Sequence, residues 1–196
     1  MGDTIGKAAL DQIFFEARTH NTWQDRPVTD EDIRTLYETA KWGPTTSNTN
    51  PARFLFIRSK AAKERLRPHL AEGNVAKTMA APCTVLVAID TEFYEKMPQL
   101  FPGRDLRSFY AGNAALSADT AFRCSSLQGA YMIIAARALG FDCGPMTGFN
   151  KAGVDAEFLA PGPWKSNFLC NIGYGIKADL FPRNPRLSFE EACLDL

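Results

Sequence analysis

The stretch Cys83-Thr84-Val85-Leu86-Val87-Ala88-Ile89 decides the fold, because it is apolar without interruption by any charge. Its side chains do not alternate between polar and apolar, and such a run is typical of a strand that is covered on both faces. Pro82 stands directly before the run and marks its beginning. We therefore predict that residues 83–89 form the centre of a sheet.

Further strands and helices flank this run along the chain. Residues 54–57 and 168–174 have strand composition. Capping residues open several of the predicted helices, as Thr29 with Asp32 and Ser188 with Glu191 do. The helical patterns cover 4–18, the segment from 29 to the stop at 43, 59–66, 118–139, 150–158 and the segment after 188. Because no repeat or linker interrupts them, residues 1–196 are predicted to form one α+β domain.

Two segments are predicted to be irregular. Residues 92–116 hold prolines and a glycine among aromatic residues, which predicts a short helix followed by a mobile loop that covers a site. Residues 143–149, Cys-Gly-Pro-Met-Thr-Gly-Phe, have the composition of a turn.

Composition excludes several classes of function. Lys plus Arg and Asp plus Glu number 22 each, so a nucleic-acid partner is not expected. The chain has no apolar window long enough for a membrane span and no secretory leader, which predicts a cytoplasmic protein. Its 5 cysteines are widely spaced and lack a zinc-binding pattern, which favours reduced core thiols over disulfides or a metal site.

Familiar catalytic motifs are absent from the sequence. It contains no G-x-S-x-G elbow, no Walker A loop and no H-E-x-x-H. Gly173-Tyr174-Gly175 lacks the third glycine of a dinucleotide-binding fingerprint, which argues against a Rossmann site.

Several polar and basic residues remain as candidates for binding. The segment Gly43-Pro44-Thr45-Thr46-Ser47-Asn48-Thr49-Asn50-Pro51, called here the hinge, is either a surface connector or a ligand loop. Three pairs of binding groups lie elsewhere: Arg18 with His20, Asn74 with Lys77, and Arg183 with Arg186. Each pair also has an ordinary explanation, respectively a helix C-terminus, a solvated surface and coil charges.

Taken in order, several short motifs resemble the FMN-dependent nitroreductase family over nearly all of the chain, and most closely a subgroup with a malonic semialdehyde reductase of pyrimidine degradation. The motifs are Ala17-Arg18-Thr19-His20-Asn21, Lys41-Trp42-Gly43-Pro44-Thr45, Glu72-Gly73-Asn74 with Lys77, Gly144-Pro145-Met146-Thr147-Gly148-Phe149 and Pro185-Arg186-Leu187-Ser188-Phe189-Glu190-Glu191. The resemblance implies a mainly antiparallel central sheet flanked by helices, with a C-terminal segment that contributes to a dimer.

The resemblance also implies how the phosphate end of FMN is bound. Arg18 and His20 stand where the family's R-R-S-x-R motif meets the phosphate and ribityl chain, but the second Arg is missing, and Thr22 stands nearest to it. Part of the phosphate charge must therefore be met elsewhere. Arg186 matches a late phosphate-binding Arg, and Arg183 is a candidate to compensate for Asn184, which stands where many members have Lys.

For the flavin ring, Asn74 and Lys77 match the pair that contacts the pyrimidine. An ammonium group there favours reduction, because the reduced ring carries negative charge near N1 and C2=O. The turn Pro145-Met146-Thr147-Gly148 matches the one whose backbone N–H approaches N5. In the hinge, Pro44, Thr45, Thr46 and Asn48 match a P-S-x-x-N loop that reaches the FMN of the partner subunit, which implies a homodimer.

The implied reaction is ping-pong transfer of a hydride from NADPH or NADH, through flavin N5, to an acceptor that then occupies the same place. In the subgroup the acceptor is malonic semialdehyde, reduced to 3-hydroxypropionate. Its carboxylate needs a cation, for which Arg53, Arg107 and Arg123 are candidates. Tyr110 or water could supply the proton. The alternatives are a broad nitro or quinone reductase, or a flavin-binding or interaction protein without turnover.

Overall fold

The computed structural model describes residues 2–196, and four strands in that range form one antiparallel sheet with the order β1-β2-β4-β3. The strands are β1 Ala52–Ile57, β2 Cys83–Asp90, β3 Asp142–Met146 and β4 Trp164–Gly173. The apolar run thus forms an inner strand, with β1 on one side and β4 on the other, as the sequence predicts.

Helices surround the sheet, and most of the predicted ones are confirmed. Thr29 forms a capping box with Asp32 at the start of α2, and Ser188 forms one with Glu191 at the start of α9. The helices are α1 Lys7–Leu10, α2 Asp30–Ala40, α3 Lys60–Leu66, α4 Glu72–Ala80, α5 Met97–Leu100, α6 Leu106–Ala111, α7 Ala114–Ala138, α8 Lys151–Val154 and α9 Phe189–Ala192. Single π-helical segments, Asp11–Phe15 and Asp155–Leu159, prolong α1 and α8.

Strand β2 is buried on both faces, which confirms the interpretation of its unbroken apolar run. Val85 and Val87 pack into one cluster with Met132 of the long helix α7. Leu86 and Ala88 point the other way and pack into a second cluster under α3 and α4. Each fully buried aliphatic side chain of this kind stabilises the fold by about 1.5–3 kcal/mol.

A buried lysine links α3, α4 and β2. The Lys63 ammonium donates hydrogen bonds of 2.7 Å to Thr78 O, 2.9 Å to Ala81 O and 2.7 Å to Thr84 Oγ1, so each of its three donors has an acceptor. Burial lowers the Lys63 pKa to about 8, while burial raises the pKa of the neighbouring Cys83 thiol to about 12. The ammonium thus donates hydrogen bonds to the Thr78 and Ala81 carbonyl groups at the C-terminal end of α4.

Two expectations from the sequence are wrong in part. Most of the supposed loop at 92–116 is helical, because Phe93, Met97, Leu106 and Tyr110 come together in a small cluster of their own. The supposed turn at 143–149 is an edge strand as far as Met146, and only the residues after it turn. Proline has no backbone N–H to donate, but β3 is an edge strand and pairs with another strand, β4, on one side only. Pro145 is therefore tolerated in this strand.

The five cysteines are free, and only Cys193 is exposed. Within residues 2–196, no helix combines the length and the apolar character needed to cross a membrane. The same residues hold no group of three or more His, Cys, Asp or Glu side chains arranged to bind a metal ion.

Candidate functional site

The outer edge of β3 joins the segment after the first helix. Thr19 pairs with Cys143 in a parallel bridge, and the His20 N–H donates a 3.0 Å hydrogen bond to Cys143 O. Glycine is required at 144, because a Cβ there would lie 2.6 Å from His20 O. This close approach places Arg18 beside the beginning of β3.

His20 is engaged inside the protein. Its side chain is 3 % exposed, and its Nε2 lies 3.2 Å from Asp142 Oδ1, while Asp142 Oδ2 accepts a 2.8 Å hydrogen bond from the Gly175 N–H. Burial alone would raise the Asp142 pKa, but the hydrogen bonds from His20 and Gly175 outweigh it and the pKa is lowered. His20, which the sequence predicts as a binding residue, thus holds Asp142 in place. It also borders a cavity of about 490 Å³.

Four arginines meet around an adjoining cavity of about 280 Å³, which is called here the arginine cavity. Arg18, Arg183 and Arg186 were predicted from the sequence, and Arg137 was not. Within residues 2–196, no Asp or Glu lines this cavity. Uncompensated guanidinium groups at this density bind phosphate or carboxylate.

Backbone carbonyl groups orient these guanidinium groups without neutralising them. Because a carbonyl carries only a partial charge, the full positive charge of each side chain remains available to a ligand. The hydrogen bonds run from Arg18 to Phe181 O at 2.5 Å, from Arg137 to Ile13 O at 3.2 Å, from Arg183 to Phe15 O at 2.7 Å and Ala17 O at 3.0 Å, and from Arg186 to Asn184 O and Pro185 O at 3.0 Å.

Arg137 comes from the last turn of α7. A basic residue at a helix C-terminus commonly complements the helix dipole, so the sequence carried no signal of a binding role. Its Nε is buried and has no hydrogen-bond partner among the described residues.

Helix α4 and the turn after β3 form the other end of the site. Asn74 Nδ2 donates to Gly148 O at 2.8 Å, and the Ala71 N–H donates to the same oxygen at 3.0 Å. The backbone N–H groups of Thr147 and Gly148 donate to no acceptor within the described chain. Two backbone donors are therefore open to a ligand at the edge of the sheet.

Lys77 lies three residues after Asn74 in α4, and Trp23 connects this helix to the segment that contains Arg18. Trp23 Nε1 donates to Lys77 O at 3.1 Å, and its ring lies 3.5 Å from the position of a Cβ on Gly144. The Lys77 ammonium has no carboxylate partner among residues 2–196. The structure thus brings the predicted pairs at 18–20 and 74–77 to the same edge of the sheet.

Members of the turn differ in their exposure. Pro145 and Thr147 are exposed, whereas Met146 is buried, with its Sδ 3.5 Å from Thr78 Oγ1. The Met146 side chain therefore belongs to the core, and only its backbone could meet a ligand.

The hinge lies apart from these residues. Its Thr46 N–H faces Cys124 Sγ of α7 at 3.4 Å, and Asn48 Nδ2 donates to Leu100 O at 2.9 Å. It borders a separate cavity of about 360 Å³, whose lining includes no residue of the arginine cavity. Within one chain, Pro44, Thr45, Thr46 and Asn48 are therefore not brought together with the residues predicted to bind FMN. Arg53, predicted to bind the substrate, borders the same cavity as the hinge and donates a 2.9 Å hydrogen bond to Asn50 O.

Each arginine proposed for a substrate carboxylate already faces a carboxylate of the protein. Such a partner reduces the charge that is available to a ligand. The pairs are Arg53 with Asp90 at 2.6 Å, Arg107 with Glu95 at 2.8 Å and Arg123 with Asp119 at 2.8 Å.

An apolar face of α7 is uncovered. Leu127 and Tyr131, about one helical turn apart, are 49 % and 39 % exposed, and Trp42 beside the hinge is 79 % exposed. Gly43 packs directly on the Tyr131 ring, since a Cβ at 43 would lie 2.5 Å from Tyr131 Cγ. The hinge and this face therefore form one continuous surface.

A comparison with protein families matches residues 16–174 to the family described as the nitroreductase family. A provisionally named NADH dehydrogenase/NAD(P)H nitroreductase of Rhodopseudomonas palustris (strain TIE-1) is 58 % identical over 193 residues, with 98 % of each chain covered. A protein of Ralstonia nicotianae with the same provisional name is 57 % identical over 190 residues, with 97 % of each covered.

Solved structures share the fold. A provisionally assigned nitroreductase of Bacillus subtilis superposes with a TM-score of 0.88 at 21 % identity, covering 97 % of this chain and 100 % of that one. Another, from Exiguobacterium sibiricum 255-15 and solved in complex with FMN, gives 0.85 at 22 % identity with 100 % of both chains covered.

Proposed function

The chain belongs to the nitroreductase family, and from this premise we propose that it is an FMN-dependent NAD(P)H oxidoreductase acting as a homodimer. The arginine cavity carries the proposal, since four guanidinium groups without a carboxylate fit a phosphate dianion. The proposed site uses residues from Arg18 to Arg186, so we also propose that residues 1–196 work as a single domain.

In this proposal Arg18, Arg183 and Arg186 bind the phosphate of FMN, and Arg137 supplies charge that the shortened first motif lacks. A guanidinium can offer two parallel N–H groups to phosphate oxygens, which lysine cannot do. Backbone carbonyl groups hold each of the four in place before the ligand binds. Such preorganisation reduces the entropy lost on binding.

At the other end, Asn74 and Lys77 would face the pyrimidine of the flavin, and the open N–H groups of Thr147 and Gly148 would face its N5 side. The Lys77 ammonium, without a carboxylate partner within residues 2–196, would stabilise negative charge on the ring. When bound, FMN supplies hydride transfer between NAD(P)H and an acceptor.

Dimer formation would complete this site. The hinge borders a different cavity from the arginines, so its proposed contact with FMN requires a second copy of the chain. The uncovered α7 face and the exposed apolar residues of the C-terminal segment, such as Phe189 at 68 % exposure, supply surfaces for that copy.

For the acceptor, the sequence resemblance supports malonic semialdehyde, reduced to 3-hydroxypropionate. The names of the relatives and the ion pairs of Arg53, Arg107 and Arg123 instead favour a broad reductase of nitro compounds and quinones. A reductase of nitro compounds and quinones needs an open, apolar acceptor site more than it needs an unpaired cationic side chain.

Spectroscopy tests the flavin proposal. Purified protein, as isolated or after addition of FMN and gel filtration, is expected to show the yellow absorbance of bound flavin. Anaerobic NADH or NADPH is expected to bleach it. A colourless protein after FMN addition would refute the proposal, and bound flavin that neither nucleotide bleaches would indicate a binding protein without turnover.

Steady-state kinetics then compare the acceptors. A kcat/KM for malonic semialdehyde at least about tenfold above that for nitroaromatics and quinones would support the aldehyde reductase. The reverse order would support the broad reductase, and the ion-paired arginines favour that result.

A further inference from the structure

Three side-chain amides connect the long helix α7 to the hinge and to the end of α5. Gln128 Nε2 donates to Asn50 Oδ1 at 3.2 Å, and Asn50 Nδ2 donates to Asn48 O at 2.8 Å and to Asn48 Oδ1 at 2.7 Å. Asn48 Nδ2 then donates to Leu100 O at 2.9 Å. In each of these hydrogen bonds the donor lies on the Gln128 side of the series and the acceptor on the Leu100 side.

Gln128, the first residue of the series, is held in place by the sheet. Gln128 is 6 % exposed, and its Oε1 accepts a 2.8 Å hydrogen bond from the N–H of Ala52, the first residue of β1. Its carbonyl oxygen is thereby committed to the sheet, so its amide nitrogen must face Asn50. Helix α7 and β1 together set the direction of the whole series.

The segment that the amides hold has an unfavourable backbone. Ser47, Asn48 and Asn50 have φ angles of 48°, 55° and 44°, in the left-handed region that side chains with a Cβ seldom occupy. Three such residues within four positions need support from outside the segment. Asparagine tolerates this region better than most residues, and here its amide also supplies the support.

We propose that Gln128 and Asn50 are positioning residues that hold the hinge in its left-handed conformation through Asn48 and attach it to Leu100. This proposal rests on the proposed function where it concerns the flavin: the amides present Thr45, Thr46 and Ser47 to the FMN of the second subunit. Asn48, whose amide nitrogen and oxygen both have partners in its own chain, then acts by shaping the hinge.

The attachment to Leu100 has a second consequence. Helix α5 belongs to the small cluster of Phe93, Met97, Leu106 and Tyr110, so the hydrogen bond to Leu100 attaches the hinge to the segment from Phe93 to Ala111. Both the hinge and the end of α5 border the same cavity of about 360 Å³. The amide series therefore couples two walls of that cavity.

The test changes Gln128, which lies outside the hinge. Gln128→Glu keeps an acceptor for the Ala52 N–H but removes the donor to Asn50. Gln99→Glu adds the same charge at the rim of the same cavity, outside the amide series, and is the control. Backbone amide exchange of residues 46–50 is measured at pH 8 without FMN, and the FMN dissociation constant is measured separately.

In Gln128→Glu, exchange at Asn48 and Asn50 is expected to accelerate about tenfold, the effect of losing about one hydrogen bond, while Gln99→Glu exchanges as the unmodified protein does. The FMN dissociation constant is expected to rise about tenfold. If Gln128→Glu does not fold, Asn50→Asp removes the donors to Asn48 instead and carries the same expectations.

The outcomes separate the two proposals. Unchanged exchange in the folded variant overturns the positioning role, whatever the flavin does. Faster exchange with unchanged FMN affinity overturns the presentation of the hinge to flavin. If unmodified protein binds no FMN but exchange still accelerates, the proposed function fails and the positioning of the hinge stands.

Discussion

The side-chain amide of Asn74 donates a 2.8 Å hydrogen bond to the carbonyl oxygen of Gly148. Through this contact α4, which also carries Lys77, lies directly against the turn that ends β3. The contact leaves no space for a side chain, since a Cβ on Gly148 would lie 2.6 Å from Asn74 Nδ2.

Gly148→Ala is expected to displace Asn74, to lower the free energy of unfolding by about 1–3 kcal/mol and to weaken FMN binding. Urea unfolding and a flavin fluorescence titration measure the two effects. Gly73→Ala is the control, because its Cβ would meet nothing within 4 Å and alanine favours the helix by about 0.5–1 kcal/mol. Equal FMN affinity in both variants would refute the role of this contact.

Arg137→Met is expected to raise the FMN dissociation constant about 10- to 100-fold, because it removes a charge-assisted contact with phosphate. The loss should shrink for riboflavin, which has no phosphate. Arg34→Met removes the same charge from an exposed position on α2 and should leave FMN binding unchanged. An equal loss for FMN and riboflavin would contradict the assignment of Arg137 to the phosphate.

Lys63→Met is expected to lower the free energy of unfolding by about 2–4 kcal/mol, because it leaves Thr78 O, Ala81 O and Thr84 Oγ1 without a donor. Chemical unfolding at pH 7 measures it. A loss below about 0.5 kcal/mol would show that these acceptors find other donors.

The pH dependence of Lys63 has a definite sign. The folded protein releases its proton near pH 8 and the unfolded chain near 10.5, so between these values the unfolded chain binds more protons and stability rises with pH. The free energy of unfolding of the unmodified protein, relative to that of Lys63→Met, should increase by on the order of 1 kcal/mol between pH 8 and 9. A constant difference between the two across that range would contradict the lowered pKa.

Cys83 acts in the opposite direction. Its pKa is raised from 9.0 to about 12 by burial, so above pH 9 the unfolded chain loses this proton first and the contribution of Cys83 falls as pH rises. Cys83→Ala should therefore remove a loss of stability that sets in above pH 9. Unfolding at pH 8, 9 and 10 checks the direction.

Leu127→Glu places a charge on the uncovered face of α7 and is expected to yield a monomer in analytical ultracentrifugation. Because Leu127 is 49 % exposed, the fold should lose no more than about 1 kcal/mol from the change within the chain itself. Lys60→Glu, at an exposed position on α3, is the control. A dimer that survives Leu127→Glu would exclude this face as the interface.

Arg107→Gln and Arg123→Gln are expected to change the KM for malonic semialdehyde by less than about threefold, since both guanidinium groups are paired with carboxylates on the surface. Steady-state kinetics with the aldehyde measure this. A tenfold rise in KM for one variant, with KM for a neutral quinone unchanged, would assign that arginine to the substrate carboxylate.

Local patterns were sufficient to predict the inner strand at 83–89, the capping boxes at Thr29 and Ser188 and the long helix ended by Gly140. Each depends on neighbours in sequence: an apolar run, a hydroxyl three residues from a carboxylate, or a helix stop. The edge strand β3 was missed because Pro145 and two glycines have the composition of a turn. Only pairing with β4 makes it a strand.

The candidate site shows the same division. The sequence by itself determined the α+β class, the central strand and the types of residue available to bind an anion and a flavin ring. Only the tertiary structure decided that Arg137 joins Arg18, Arg183 and Arg186, that Met146 is buried, that three other arginines are ion-paired and that the hinge lies apart. The physical reason is that charge density and burial depend on groups brought together across the chain, which no local pattern specifies.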